Sequence, residues 1–265
     1  MTSISSILSA AVLFSLAAVT LAQENVNYSL WPRRPAELEQ ARILMKEQKF
    51  TEAVALLQPF VAEKGIAGRE ARQITGAINV RRYLTRQHPG ADIHVVKRGE
   101  NLARISGATH CPTELIMLLN GLVEPSDLKV GQKIVVVPMN LRMEIRPLQR
   151  EISVWDGTSL VAAYNIISSG KSEFRENAET TVKERPGYFN DSPLAAQSTQ
   201  FLSSERGIVL SNGVSLHSEN RGSGKVIRMR SKDLNELTLL LGVGARVSIV
   251  CDDETFTPVL PAEGT

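Results

Sequence analysis

The first third of the chain has the hydrophobic spacing of amphipathic helices. Apolar side chains recur every three or four positions from residue 38 to 45 and from 53 to 61, with a polar break at 46–51. A third run with similar spacing extends from residue 67 to 84. Because a period of 3.6 residues places such side chains on one helix face, the pattern predicts a helical hairpin followed by a third helix.

The pattern changes after Pro89 and Gly90, whose turn chemistry predicts a domain boundary. Residues 91–139 then predict a strand, two short helices and a second strand that ends at Pro138. From residue 140 onward, short alternating apolar runs predict β-strands, and one helix is predicted at 231–241. The sequence therefore predicts an α+β multidomain protein.

Composition excludes several classes of protein. With 43% hydrophobic residues in 265, the chain is neither disordered nor collagen-like, and two cysteines do not make a disulfide scaffold. The 30 Lys and Arg against 28 Asp and Glu leave a net charge of +2 without a basic run, so no nucleic-acid partner is expected. The four histidines and two cysteines lack metal-ligand spacing, and we predict neither a metal nor a cofactor.

The N-terminus predicts export. Residues 1–22 carry no charged side chain and end in small residues that resemble a cleavage site. The apolar stretch is too short to span a bilayer comfortably, so we interpret it as a signal peptide and expect the protein in the periplasm or cell envelope. Because basic residues before the stretch are missing, an uncleaved membrane anchor is the alternative. Whether Cys111 and Cys251 pair in that oxidising environment stays open.

Residues 91–139 contain three recognisable segments: Val-Val-Lys-Arg-Gly-Glu-Asn-Leu at 95–102, Leu-Asn-Gly-Leu at 119–122 and Leu-Lys-Val-Gly-Gln-Lys-Ile at 128–134. Together they resemble the LysM domain, a βααβ module. The resemblance implies binding of peptidoglycan or a related N-acetylglucosamine polymer in a shallow groove between two loops. The residues that it places on the two walls are Gly99, Glu100, Asn101, Leu102, Asn120, Gly121, Leu122 and Val123.

Ala53 and Leu57 occupy positions that give residues 41–61 a resemblance to half of a tetratricopeptide repeat, although Gln48 stands where that family prefers glycine. A single hairpin of this kind cannot bury its apolar face alone. It must pack on the third helix, on another domain or on a partner. We interpret region 23–90 as a spacer, with a binding groove for a cell-wall protein as the alternative.

Two motifs stand out in the β-rich region: Ser-Gly-Lys at 169–171 and Pro-Gly-Tyr-Phe at 186–189. With Ile-Arg-Met at 227–229 and the helix and strand that follow, they resemble the L,D-transpeptidase, or YkuD, catalytic domain. The resemblance implies a mostly-β L,D-transpeptidase-like domain at 140–252, followed by a tail at 253–265.

The catalytic motif of that family is not preserved. Active members carry Ser/Thr-His-Gly-Cys immediately before Ile-Arg-Met, and the cysteine thiolate attacks a peptide carbonyl of the peptidoglycan stem. In this register Ser223, Gly224, Lys225 and Val226 occupy those positions. Valine cannot carry an acyl group, so a degenerate site is predicted. His217 matches the family's upstream histidine. We interpret the basic residues at 220–225 as a solvated loop, with Lys225 and Arg228 as a pair that holds a stem-peptide carboxylate as the alternative.

The sequence thus predicts an exported cell-envelope protein that binds peptidoglycan without catalysis. Two alternatives remain. One is an active transpeptidase or hydrolase that uses Ser223 with His217. The other is an adaptor whose helical region recruits a wall enzyme.

Overall fold

The computed structural model describes residues 35–169, 174–189, 192–194, 204–218 and 225–251. The predicted signal peptide, Ser223, Gly224 and the predicted tail lie outside these residues. From Glu37 onward the chain forms one compact unit. The predicted α+β class is confirmed, because helices precede a curled β-sheet domain.

Three helices open the described chain: α1 (Ala36–Lys46), α2 (Phe50–Val61) and α3 (Gly65–Tyr83). The apolar faces predicted for the hairpin meet α3 in one buried cluster. Of the three possible packing partners (the third helix, another domain or a separate protein), the hairpin therefore uses the third helix. The buried members of this cluster are Leu38, Ala41, Leu44, Ala53, Leu57, Ala71 and Ile78.

A small βααβ module follows. It consists of β1 (Asp92–Val95), α4 (Leu102–Thr109), α5 (Thr113–Asn120) and β2 (Lys133–Val136), with a 3-10 turn at Pro125–Asp127 before β2. Strands β1 and β2 pair antiparallel. The two helices cover the sheet with an apolar core of their own, which includes Leu102, Ile105, Leu115, Ile116, Leu119 and Ile134.

A sheet with nine described strands forms the C-terminal domain. The strands are β3 (Arg142–Arg146), β4 (Glu151–Asp156), β5 (Ser159–Asn165), β6 (Ser168–Ser169), β7 (Ala178–Glu184), β11 (Ile208–Leu210), β12 (Ser215–Ser218), β13 (Val226–Met229) and β14 (Arg246–Ile249). Their order in the sheet is β5-β4-β3-β14-β7-β11-β12-β13-β6. The pairs β3/β14 and β12/β13 are parallel and the others are antiparallel. Helix α6 (Ser231–Leu240) connects β13 to β14.

A second, small sheet adjoins it with the order β10-β8-β9. Its strands are β8 (Gly187–Phe189), β9 (Ser192–Leu194) and β10 (Glu205–Arg206).

Helix α3 lies directly on strand β5 of the large sheet. At Gly76 the two backbones approach so closely that a Cβ atom there would stand 2.5 Å from the amide nitrogen of Ala163. A side chain at this position would force the helix away from the sheet, so the contact requires glycine. The helical region is therefore a packed layer of the C-terminal domain, and its interpretation as a spacer is wrong.

A buried ion pair holds the same interface. Arg72 of α3 donates from Nε and Nη2 to the two carboxylate oxygens of Glu151, each at 2.8 Å. Its Nη1 also donates to the carbonyl oxygens of Val61 at 2.9 Å and Glu63 at 2.8 Å. Arg72 is 5% and Glu151 1% exposed, so both charges are withdrawn from water and depend on each other.

Candidate functional site

The first predicted wall lies between β1 and α4. The carboxylate of Glu100 accepts hydrogen bonds from the backbone N–H of Lys97 at 2.7 Å and from Nε2 of His94 at 2.9 Å. These bonds favour the ionised form and lower the pKa of Glu100 below its usual value. The Glu100 carboxylate therefore stabilises the conformation of the loop between β1 and α4.

Asn101 caps helix α4. Its Oδ1 accepts from the backbone N–H of Arg104 at 2.8 Å, and the Arg104 guanidinium donates back to the carbonyl of Gly99 at 3.1 Å. Gly99 adopts φ 81°, in the left-handed region that favours glycine. Gly99 and Asn101 are exposed, whereas Leu102 is buried in the module core.

The side chain of Asn120 connects the second predicted wall to strand β2 by hydrogen bonds. Nδ2 of Asn120 donates to the carbonyls of Ile116 at 2.7 Å and Val135 at 2.8 Å, and Oδ1 of Asn120 accepts from the N–H of Val135 at 2.8 Å. The amide group of Asn120 is thus engaged by the backbone. Gly121 ends α5 in the left-handed conformation and is exposed, while Leu122 is buried.

Val123 presents an exposed apolar side chain at the end of this wall, with 67% of its surface accessible. The backbone N–H groups of Val123 and Glu124 both donate to Oδ2 of Asp127 at 2.9 Å. These bonds, that of Glu124 first, lower the pKa of Asp127. Both loops are therefore fixed by internal hydrogen bonds, and their exposed surface comes from Gly99, Asn101, Gly121 and Val123.

The predicted degenerate site lies on the parallel strands β12 and β13. His217 stands opposite Arg228 in the register, and Ser215 stands opposite Val226. His217 is only 7% exposed, and its ring lies 5.7 Å from that of Tyr188, centre to centre. Both rings crowd Gly207, where a Cβ atom would be 3.3 Å or less from each.

Val226 is 2% exposed and so lies inside the domain, while Lys225 is exposed and Arg228 half-buried. The structure brings His217 next to the strand that carries Val226 and Arg228. Ser218 follows His217 and donates from Oγ to the Glu205 carboxylate at 3.2 Å. The isopropyl group of Val226 supplies no nucleophile at this strand.

The two cysteines offer no replacement at that position. Cys111 is fully buried in the module core, and burial raises the pKa of its thiol to about 11. Cys251 lies in the core of the sheet domain, where its Sγ donates to the carbonyl of Glu176 at 3.2 Å. The structure does not join them in a disulfide. At neutral pH a thiol like that of Cys111 is protonated and unreactive.

Residues 94–137 match the protein-family model of the LysM domain. This segment is a LysM domain. LysM domains typically bind peptidoglycan and related N-acetylglucosamine polymers. The matched residues lie within the predicted boundaries 91–139, and they contain all eight predicted wall residues.

Similar solved structures include an L,D-transpeptidase from Xylanimonas cellulosilytica, of which residues 123–326 were crystallised. It is 14% identical, the match covers 50% of this chain and 82% of that one, and the TM-score is 0.30. A second is Bd1075 from Bdellovibrio bacteriovorus, with 16% identity, 44% and 49% coverage, and a TM-score of 0.33. The chain thus spans about half the length of Bd1075. No curated protein matches the sequence.

One contact between the domains was not predicted from the sequence: Glu114 of the LysM domain pairs with arginines of the C-terminal domain. This side chain is 3% exposed and accepts from Arg185 Nη1 at 2.5 Å, with Arg206 Nη1 at 3.9 Å. Burial lowers the pKa of Arg206 although Glu114 opposes that shift. The signal in the sequence is a lone acidic residue before the apolar run Leu-Ile-Met-Leu-Leu of α5.

Among the described residues, no helix has the length and hydrophobicity required to cross a membrane. In the same part of the chain, no group of three or more His, Cys, Asp or Glu side chains is arranged to hold a metal ion.

Proposed function

We propose that this protein is an exported cell-envelope protein that binds peptidoglycan through its LysM domain, without catalysing a reaction on it. The observation that carries the proposal is the LysM match at 94–137, together with two anchored loops that expose Gly99, Asn101, Gly121 and Val123. Backbone groups and a small apolar surface of this kind suit an acetamido group, which needs both hydrogen bonds and contact for its methyl.

Sedimentation with purified sacculi tests the groove. We expect Val123→Asp and Asn101→Asp each to weaken retention about tenfold, since each places a charge where a neutral sugar would lie. Asp is as good a helix cap as Asn, so Asn101→Asp keeps α4 intact. Binding isotherms from the unbound fraction measure the effect.

Ile66→Asp is the matched control, because Ile66 is 69% exposed, like Val123, but belongs to helix α3. It should sediment like the parent protein. If both groove variants also sediment like the parent, the glycan-binding proposal is wrong.

The absence of catalysis rests on Val226. We expect the parent protein to release no D-Ala from tetrapeptide muropeptides, and Val226→Cys alone to remain inactive. Position 226 is 2% exposed, and an apolar environment raises the pKa of a thiol, so a cysteine there would stay protonated. Gly224 and Lys225 also differ from the family's activating residues. Chromatography of the reaction mixtures measures the D-Ala released by the parent protein and by the variant.

D-Ala release by the parent that is lost in Ser223→Ala would instead support the enzyme with Ser223 and His217. Release by Val226→Cys would mean that the site retains its activating environment. A matched Val→Cys change at Val247, which is also fully buried but lies on β14, controls for non-specific thiol chemistry.

A further inference from the structure

A cleft of about 720 Å3 lies between the LysM domain and the C-terminal domain. Ala103, Ser106 and Gly107 of α4 line one side. The turn 242–245, the first β14 residue Arg246, and Arg185 line the other. This volume lies in the range of small-molecule and peptide sites in proteins.

Both sides of the cleft are held in place by backbone hydrogen bonds. On the LysM side, the N–H of Met139 donates to the carbonyl of His110 at 2.9 Å. On the other side, Val182 donates to the carbonyl of Ala245 at 2.9 Å and accepts from the N–H of Gly244 at 2.8 Å. The cleft is therefore preformed, and a ligand would enter it without reordering its backbone.

The charges that line the cleft are positive. Arg185 and Arg246 contribute guanidinium groups, and the described lining contains no Asp or Glu. Arg185 is partly neutralised by Glu114, whereas Arg246 is exposed and forms no ion pair with the described residues. Guanidinium groups are the preferred protein partners of carboxylates.

In the chain, the lining of the cleft begins directly after the first wall of the proposed sugar-binding groove. Leu102 ends the first groove loop, and the next residue, Ala103, already lines the cleft. We propose that the cleft binds the carboxylate-bearing stem peptide of a wall strand whose sugars occupy the LysM groove. This assignment rests on the proposed function, because it requires the strand to be held by the LysM domain.

Two probes separate the cleft from the groove: a chito-oligosaccharide without peptides, and a peptidoglycan glycan of the same length with tetrapeptide stems. Titration calorimetry should give the parent protein a dissociation constant about tenfold lower for the stem-bearing probe, since a charge-assisted hydrogen bond is added. Amidation of the stem carboxyl groups should remove that advantage.

Two variants block the cleft. Gly107→Leu fills it, and a Cβ atom at Gly107 meets no atom within 4 Å, so the fold accommodates the change. Arg246→Glu reverses its charge. Each should abolish the roughly tenfold preference for stems and leave chito-oligosaccharide binding unchanged. Ala108→Leu, on the exposed part of α4 outside the cleft lining, is the control and should bind both probes like the parent.

The possible failures differ. Equal binding of both probes by the parent, or an undiminished stem preference in the two variants, overturns the cleft assignment and leaves the LysM proposal standing. Equal weakening of both probes in the variants also overturns it, because the cleft would then act on sugar binding. A parent protein that binds neither probe refutes the proposed function and the cleft together.

Discussion

Replacing Arg72 by Met is expected to lower the free energy of unfolding by about 3–5 kcal/mol, because it leaves the Glu151 carboxylate buried without its partner. Glu151 is 1% exposed and takes two hydrogen bonds from Arg72. The change also removes the donor to the carbonyls of Val61 and Glu63. Thermal unfolding should show a midpoint lower by about 10 °C.

The matched control is Arg82→Met, an exposed arginine on the same helix, which should change stability by less than about 0.5 kcal/mol. The double variant Arg72→Met with Glu151→Leu should recover much of the loss, since no charge remains unpaired. If the double variant is as unstable as the sum of its single variants, the two charges do not stabilise each other as the structure indicates.

Glu114→Gln is expected to cost about 3 kcal/mol, because the carboxylate that Arg185 and Arg206 both face loses its charge. Arg206 is 4% exposed and Arg185 has a 9% exposed side chain, so water cannot replace Glu114. Two guanidinium groups are then left close together in the interface between the LysM domain and the C-terminal domain. Denaturant unfolding measured by circular dichroism gives the free energy.

Glu184→Gln controls for the loss of a carboxylate beside Arg185. Glu184 is exposed and pairs with Lys183 at 3.2 Å, so its removal should cost less than about 1 kcal/mol. A double-mutant cycle with Arg185→Gln should return a coupling energy of about 1 kcal/mol or more for the Glu114 pair. Equal effects of the two glutamate variants would mean that Glu114 does not join the domains.

The elements that follow local patterns were predictable. Apolar spacing predicts the hairpin, and the LysM domain follows from the resemblance of three short segments to that family, one of which contains Gly121. These signals lie within a few residues of the element that they specify, so no distant contact is needed to interpret them.

The docking of the helices on the sheet was not predictable, because its determinants are distant in sequence. Glycine is needed at position 76 only because the amide nitrogen of Ala163 lies 2.5 Å from where a Cβ atom would stand. The hydrophobic pattern of the helix does not indicate that strand β5 packs there. Asn120 illustrates the same limit for the site. The sequence assigns it to the sugar groove, but whether its amide faces a ligand or the backbone of Val135 depends on the fold.

The packing of α3 also affects how the adaptor alternative can be tested. Deleting residues 35–87 would remove Arg72 from Glu151 and uncover strand β5, so loss of a partner could reflect unfolding of the C-terminal domain. Exposed substitutions on the outer helix faces, such as Ile43→Asp, are the cleaner test, since Ile43 is 41% exposed.

Because Glu114 fixes the LysM domain to the sheet domain, no flexible tether separates the groove from the cleft. Under the proposed function, a wall strand held in the groove would therefore meet the cleft at high effective concentration, without the entropy that a flexible linker would lose when both sites are occupied. A groove and a cleft at a fixed separation favour polymers whose repeat length matches that separation. For other polymers the second contact would add little to the affinity.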